Sequence, residues 1–245
     1  MVLVHGSFTD HTAWAVPVVE LNKHFTTFAM DRRGFGGSGD GVDYSIERDF
    51  DDVSAVVEAV ATRSGQPVVL WGHSYGANCA MGGASISPGV DRLVLYEPSL
   101  GLKYPVDAIE EAEVALAAGD RERAVVRMLF DALEMSQQEI DALRSSPRWP
   151  LILAGAHTAP RECRVEHAWE YSSGQFDGID AATLLLTGSE SPAPVKEATD
   201  RAAVAIPNAR VQVLEGLGHF AHRTDPAMVV SIVREFCSSL PKSKR

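Results

Sequence analysis

Six short apolar runs, separated by longer amphipathic stretches, restrict the fold of this chain more than any other feature. They are MVLV (1–4), FTTFAM (25–30), PVVLW (67–71), RLVLY (92–96), TLLLT (183–187) and RVQVL (210–214). Mostly apolar runs of this length suit strands covered on both faces, as in a parallel sheet between two helix layers. Between them, SIERDFDDVSAVVEAVATRSG (45–65) sets Phe50, Val53, Val56, Val57, Val60 and Ala61 on one helical face and ends at Gly65, a stop signal. DPAMVVSIVREFCSSL (225–240) repeats the pattern. The alternation predicts an α/β fold with a doubly wound, mostly parallel sheet.

Between 102 and 179 the alternation stops. DAIEEAEVALAAGDRERAVVRMLFDALEMSQQEIDALRSS and PRECRVEHAWEYSSGQF read as charged helices without a strand. This segment is therefore expected to be a helical cap inserted into a core made of 1–101 and 180–245. The first residues already read as a central strand, with nothing before them to cover FTTFAM. An open apolar edge invites association, so either two preceding strands are absent from the chain, or a loop or a second copy covers that edge.

Composition removes several classes of function. At 245 residues and 45% hydrophobic the chain can bury one substantial core. Its net charge is −11, and its only basic cluster is the terminal PKSKR, expected to be solvated and disordered. Nucleic acid is excluded as an expected partner, since it is held by clustered positive charge. No run reaches the length of a membrane span, and MVLVHG has no signal-peptide features, so a cytoplasmic protein without a membrane partner is expected. Cys79, Cys163 and Cys237 have neither disulfide-framework nor CxxC spacing, and no His/Asp/Glu group has metal-ligand spacing, so neither a metal nor a cofactor is expected.

The chemistry centres on GHSYG, residues 72–76, which fits the pattern G-x-S-x-G between an apolar run and a helix. Such a turn strains the backbone at the serine and presents its hydroxyl at the carboxyl end of the sheet, beside a helix N-terminus. A serine flanked by glycines is also found in ordinary turns. Three further segments favour the chemical reading: VLVHGSF after the first run, DRRGFGGSG after the second, and LEGLGHFAH after the last. GFGGSG lacks the lysine of a phosphate-binding loop and the spacing of a dinucleotide fingerprint.

In order and spacing these segments resemble the α/β-hydrolase family along essentially the whole chain, with the cap following the strand RLVLY, sixth in the family's count. The resemblance implies Ser74 as nucleophile, His219 as general base, and the backbone N–H groups of Ser7 and Tyr75 as an oxyanion hole. A serine at the elbow disfavours epoxide hydrolysis and dehalogenation, for which the family uses aspartate. The acid departs from the usual pattern, because Ser191 stands in LLLTGSESP where most relatives carry aspartate. Glu97, ending RLVLYE, leads; Glu190 is the alternative, and a dyad or another carboxylate such as Asp200 remains open.

The remaining histidines have quieter readings. His5 and His73 are expected to organise backbone, and His222 to lie at the surface or behind the site. Asp31 is expected to fix its loop. Phe8, Trp14, His157, Met128 and Trp149 are the candidates to bind substrate, with Leu129, Phe130, Leu133, Leu151 and Trp169 sharing the packing of the cap. A mostly apolar roof suits a small, largely uncharged carboxylic ester, thioester or lactone. The alternatives are a C–C bond hydrolase, lyase or metabolite-tailoring enzyme on the same fold, and a ligand-binding protein with little turnover.

Overall fold

The computed structural model describes residues 1–239; PKSKR and its expected disorder lie outside the described residues. Six strands, β1 (Val2–Val4), β2 (Phe28–Met30), β3 (Val68–His73), β4 (Val90–Tyr96), β5 (Ala182–Gly188) and β6 (Ala209–Leu214), form one sheet in the order β2-β1-β3-β4-β5-β6. Every pairing is parallel. All six sequence runs are strands. β2 forms one edge of the sheet, and its three residues are half-buried.

The side-chain period of two divides the core. Val2, Val4, Leu70, Leu93, Leu95 and Leu185 face one layer, while Leu3, Trp71, Val94, Tyr96, Leu184 and Leu186 face the other. The first layer is covered by α2 (Ile46–Ser64), α3 (Tyr75–Ile86) and α9 (Ala193–Ala205), and the second by α1 (Ala15–Leu21) and α11 (Pro226–Ser239). The sheet is therefore doubly wound. Helix α2 shows why its residues choose this form. Its first turn holds Glu47 and Asp49 and its last Arg63, each complementing the helix dipole. Gly65 then closes it in the left-handed region, donating its N–H to Ala61.

Among the described residues, the connection from β4 to β5 contains five helices and no strand: α4 (Val106–Ala117), α5 (Arg121–Asp131), α6 (Gln137–Arg144), α7 (Trp149–Ala154) and α8 (Thr158–Ala168). These helices have their own apolar core, containing Ile109, Val125, Met128, Leu129 and Ile152, and Phe8 from the loop after β1 is packed into it. Polar contacts join the insertion to the loops after the strands. Glu162 meets Ser7, Arg161 meets Asp40, and Glu166 meets Ser99. No described helix is long and apolar enough to cross a membrane.

Candidate active site

Ser74 directly follows β3 at φ 55°, ψ −129°, and α3 starts at the next residue. Four described non-glycine residues have positive φ; two of them, Ser74 and Glu97, directly follow β3 and β4, and a third, Phe8, lies in the loop after β1. Strain of this kind persists only where the surroundings impose it. The glycines beside Ser74 serve close approach. A Cβ on Gly76 would strike the backbone carbonyl of His5, and one on Gly72 would strike that of Gly76. The loop after β1 lies against the serine, since a Cβ on Gly6 would come within 3.0 Å of the Ser74 Cβ.

Glu97, next after β4, is buried with 1% exposure. Its Oε2 lies 2.6 Å from His219 Nδ1, and its Oε1 accepts from Gly188 N–H at 2.7 Å, the Ser191 hydroxyl at 2.6 Å and Thr187 at 3.3 Å. Burial alone would raise this carboxyl, but His219, Gly188 and Ser191 together hold it below the ordinary value. Both of its oxygens accept hydrogen bonds, Oε1 from three donors and Oε2 from the imidazole. Ser191, where a relative's aspartate was expected, supplies one of those donors.

His219 lies in the loop after β6 with 28% side-chain exposure. Two buried side chains hold the loop. His73 Nε2, next to Ser74, donates to the His219 carbonyl at 2.8 Å, and the Tyr96 hydroxyl donates to the Gly218 carbonyl while accepting from Ala221 N–H. Burial, then His222 and His219, hold His73 far below its ordinary value, so it is a neutral donor. His222 is buried under the site and pushed down to about 3 by burial and then His219.

Several expectations are corrected. Glu190 is exposed and takes a hydrogen bond from Ser189, and Asp200 is exposed on α9; neither is the carboxylate at His219, because Glu97 occupies that position. Trp14 is 1% exposed and packs on Trp71 and His222 in the α1/α11 layer, since the 3₁₀ turn His11–Trp14 folds back over the sheet. His157 lies outside, bonded to Asp40 at 3.0 Å. Met128 is fully buried in the insertion's own core, and Trp149 is half-buried beneath the Arg144 guanidinium. Phe8 joins that same core from the loop after β1.

Sequence reasoning missed a buried polar network behind these groups. Glu162 and Glu166 lie one turn apart on α8, a spacing visible in RECRVEH that puts two acids on one face. Glu166 accepts from Asn78 at 2.6 Å, and from Ser99 and Tyr104. Glu162 meets Arg32, the first arginine of DRRG, which is fully buried. Asp10, His11 and Asp31 come within 4.8 Å of one another, the only such group among the described residues. Their carboxylates are engaged by the N–H groups of Thr12, His11 and Gly37.

Comparison with known proteins bears on the fold and the family. The (E)-2-((N-methylformamido)methylene)succinate hydrolase of Acinetobacter baylyi is 26% identical over 98% of this chain and 91% of its own length. The crystal structure of an alpha/beta hydrolase from Sphaerobacter thermophilus superposes with a TM-score of 0.83 at 29% identity, covering 97% of this chain and 91% of that one. An enol-lactonase from Burkholderia xenovorans shares the fold, with a TM-score of 0.74 at 19% identity over 97% and 90% of the two chains. Residues 1–232 match the profile of the alpha/beta hydrolase family, and this chain belongs to that family of enzymes.

Proposed function

We propose that the protein is a serine hydrolase that cleaves a small carboxylic ester, thioester or lactone through an acyl-enzyme on Ser74, with residues 102–179 acting as a lid. The Glu97–His219 pair, 2.6 Å apart beside a strained serine at the strand ends, carries this reading. With Nδ1–H bound to Glu97, His219 Nε2 is left as the acceptor. It takes the Ser74 hydroxyl proton as Oγ bonds to the acyl carbon. Ser7 and Tyr75 N–H groups meet the oxyanion, each worth about 3–4 kcal/mol. Collapse expels the leaving group, which takes the proton from His219. Water, deprotonated by the same imidazole, then releases the acid and restores Ser74. Ser74→Ala is expected to abolish turnover of a p-nitrophenyl ester panel together with labelling by a fluorophosphonate. Full activity in that variant would end the proposal.

A second reading concerns the charge of the acyl group. Arg148 on the lid reaches Thr9 at 3.1 Å, and Arg223 lies over Phe220, next to His219. Both are half-buried, and among the described residues neither forms an ion pair. Burial lowers both; Asp10 opposes it at Arg148, while Arg148 lowers Arg223 further, so an anion beside Arg223 would be favoured. The A. baylyi relative is named for a substituted succinate. This reading departs from the uncharged substrate expected above. A higher kcat/KM for mono-p-nitrophenyl succinate than for p-nitrophenyl acetate supports it, and the reverse order removes it.

A further inference from the structure

The buried guanidinium of Arg32 touches both segments assigned to the oxyanion hole. Its Nε donates to the His5 carbonyl at 2.9 Å and its Nη2 to the Gly6 carbonyl at 3.2 Å. Its Nη1 meets Glu162 Oε1 at 2.7 Å and Asp49 at 3.5 Å. The guanidinium carbon lies 4.7 Å from the Phe35 ring centroid and 4.9 Å from that of Tyr75. Glu162 extends the network, because its Oε2 accepts the Ser7 hydroxyl at 2.7 Å. These contacts join loop 5–7, the start of α3 and helix α8 of the insertion.

The Gly6 carbonyl and the Ser7 N–H belong to one planar trans peptide and point in opposite directions. Holding the carbonyl therefore aims the N–H. Two donors hold it, Arg32 Nη2 and His5 Nδ1, the latter at 2.7 Å. The tautomer of His5 follows from its other nitrogen, which accepts from Arg32 N–H at 3.1 Å, so Nδ1 carries the proton. Burial, then Arg32, lowers His5 to about 3, which keeps that arrangement neutral. A cation at the carbonyl also draws electron density along the peptide and strengthens its N–H as a donor. As a device for stability alone, burying a guanidinium with two carboxylates is a poor one, since such groups can often be replaced by apolar packing without loss.

We propose that Arg32 is a positioning residue that aims and polarises the Ser7 N–H of the oxyanion hole, and that Glu162 registers helix α8 against the same peptide. The proposal rests on the reading of Ser74, Ser7 and Tyr75 given above. Arg32→Lys keeps the charge and loses the fork; Glu162→Gln keeps the shape and loses the charge that orients Arg32. A positioning role predicts a fall in kcat of at least tenfold with KM within about twofold. It also predicts an equal loss of affinity for a trifluoromethyl ketone, whose adduct with serine carries the oxyanion, while a non-reactive amide of the same shape binds as before. A merely structural role lowers the melting temperature and leaves the ratio of the two affinities unchanged. Should Arg32→Lys fail to fold, Glu162→Gln decides alone. Native protein that a fluorophosphonate does not label removes the serine reading and this proposal with it. Labelled native protein whose Glu162→Gln variant keeps its ketone affinity overturns the positioning role only.

Discussion

Four donors converge on the Glu97 carboxylate, and one of them is His219. Removing that charge leaves the hydrogen-bonded frame nearly intact but deprives the imidazole of the group that sets its tautomer. Glu97→Gln is therefore expected to cut kcat by a factor of about 10⁴, measured with the ester that the native protein turns over best. Glu190→Gln, altering an exposed side chain, is expected to leave kcat within about twofold. At this scale the legible residues were those whose chemistry is written into a turn, Ser74 and His219. Glu97 was legible as the leading one of several acids. Trp14 and His157 were misassigned because nearness along the chain to a motif, or membership of the insertion, does not say which way a side chain faces.

Among the elements, the joint between β3 and α3 carries the tightest steric constraint. Gly76 on α3 is pressed against the His5 carbonyl at the end of β1, so any Cβ there must push the helix and the β1 loop apart. Gly76→Ala is expected to destabilise the fold by about 1–3 kcal/mol, which for a chain of this size lowers the melting temperature by roughly 3–10 °C. Calorimetry checks this, and kcat is expected to fall with it because the same shift moves Ser7 and Tyr75. The strands were legible because continuous apolar runs need cover on both faces. The apolar pattern alone did not say which strands adjoin, since every run satisfies it. The pairing of β4 with β5, Tyr96 opposite Leu186, brings Glu97 beside Gly188 and Ser191.

Across the molecule, Glu166 joins the insertion to the core through Asn78 on α3 and Ser99 after β4. Burial pushes its carboxyl up to about 7, against the opposing hydrogen bonds from Ser99, Tyr104 and Asn78. The folded chain thus binds a proton that the unfolded chain releases near 4.5. Its contribution to stability is complete below that value and is lost as the pH rises to about 7. Melting temperatures taken across pH 4.5–7.5 are expected to fall more steeply for the native protein than for Glu166→Gln, whose amide does not titrate. Parallel curves would contradict the buried acid.

What the sequence alone determined is what neighbours along a chain can dictate. It specified alternating strand and helix, a helical stretch between RLVLY and TLLLT, and a glycine-flanked serine where an apolar run meets a helix. These follow from periodicity and local sterics, which act over a few residues. Only the tertiary structure decided the rest. It chose Glu97 from the available acids by setting two strand ends side by side. It brought Arg32 to Glu162, 130 positions away, and sent Trp14 to the opposite layer of the sheet. Such choices are made by packing between distant segments, where the cost of burying a charge or a ring depends on what else arrives there.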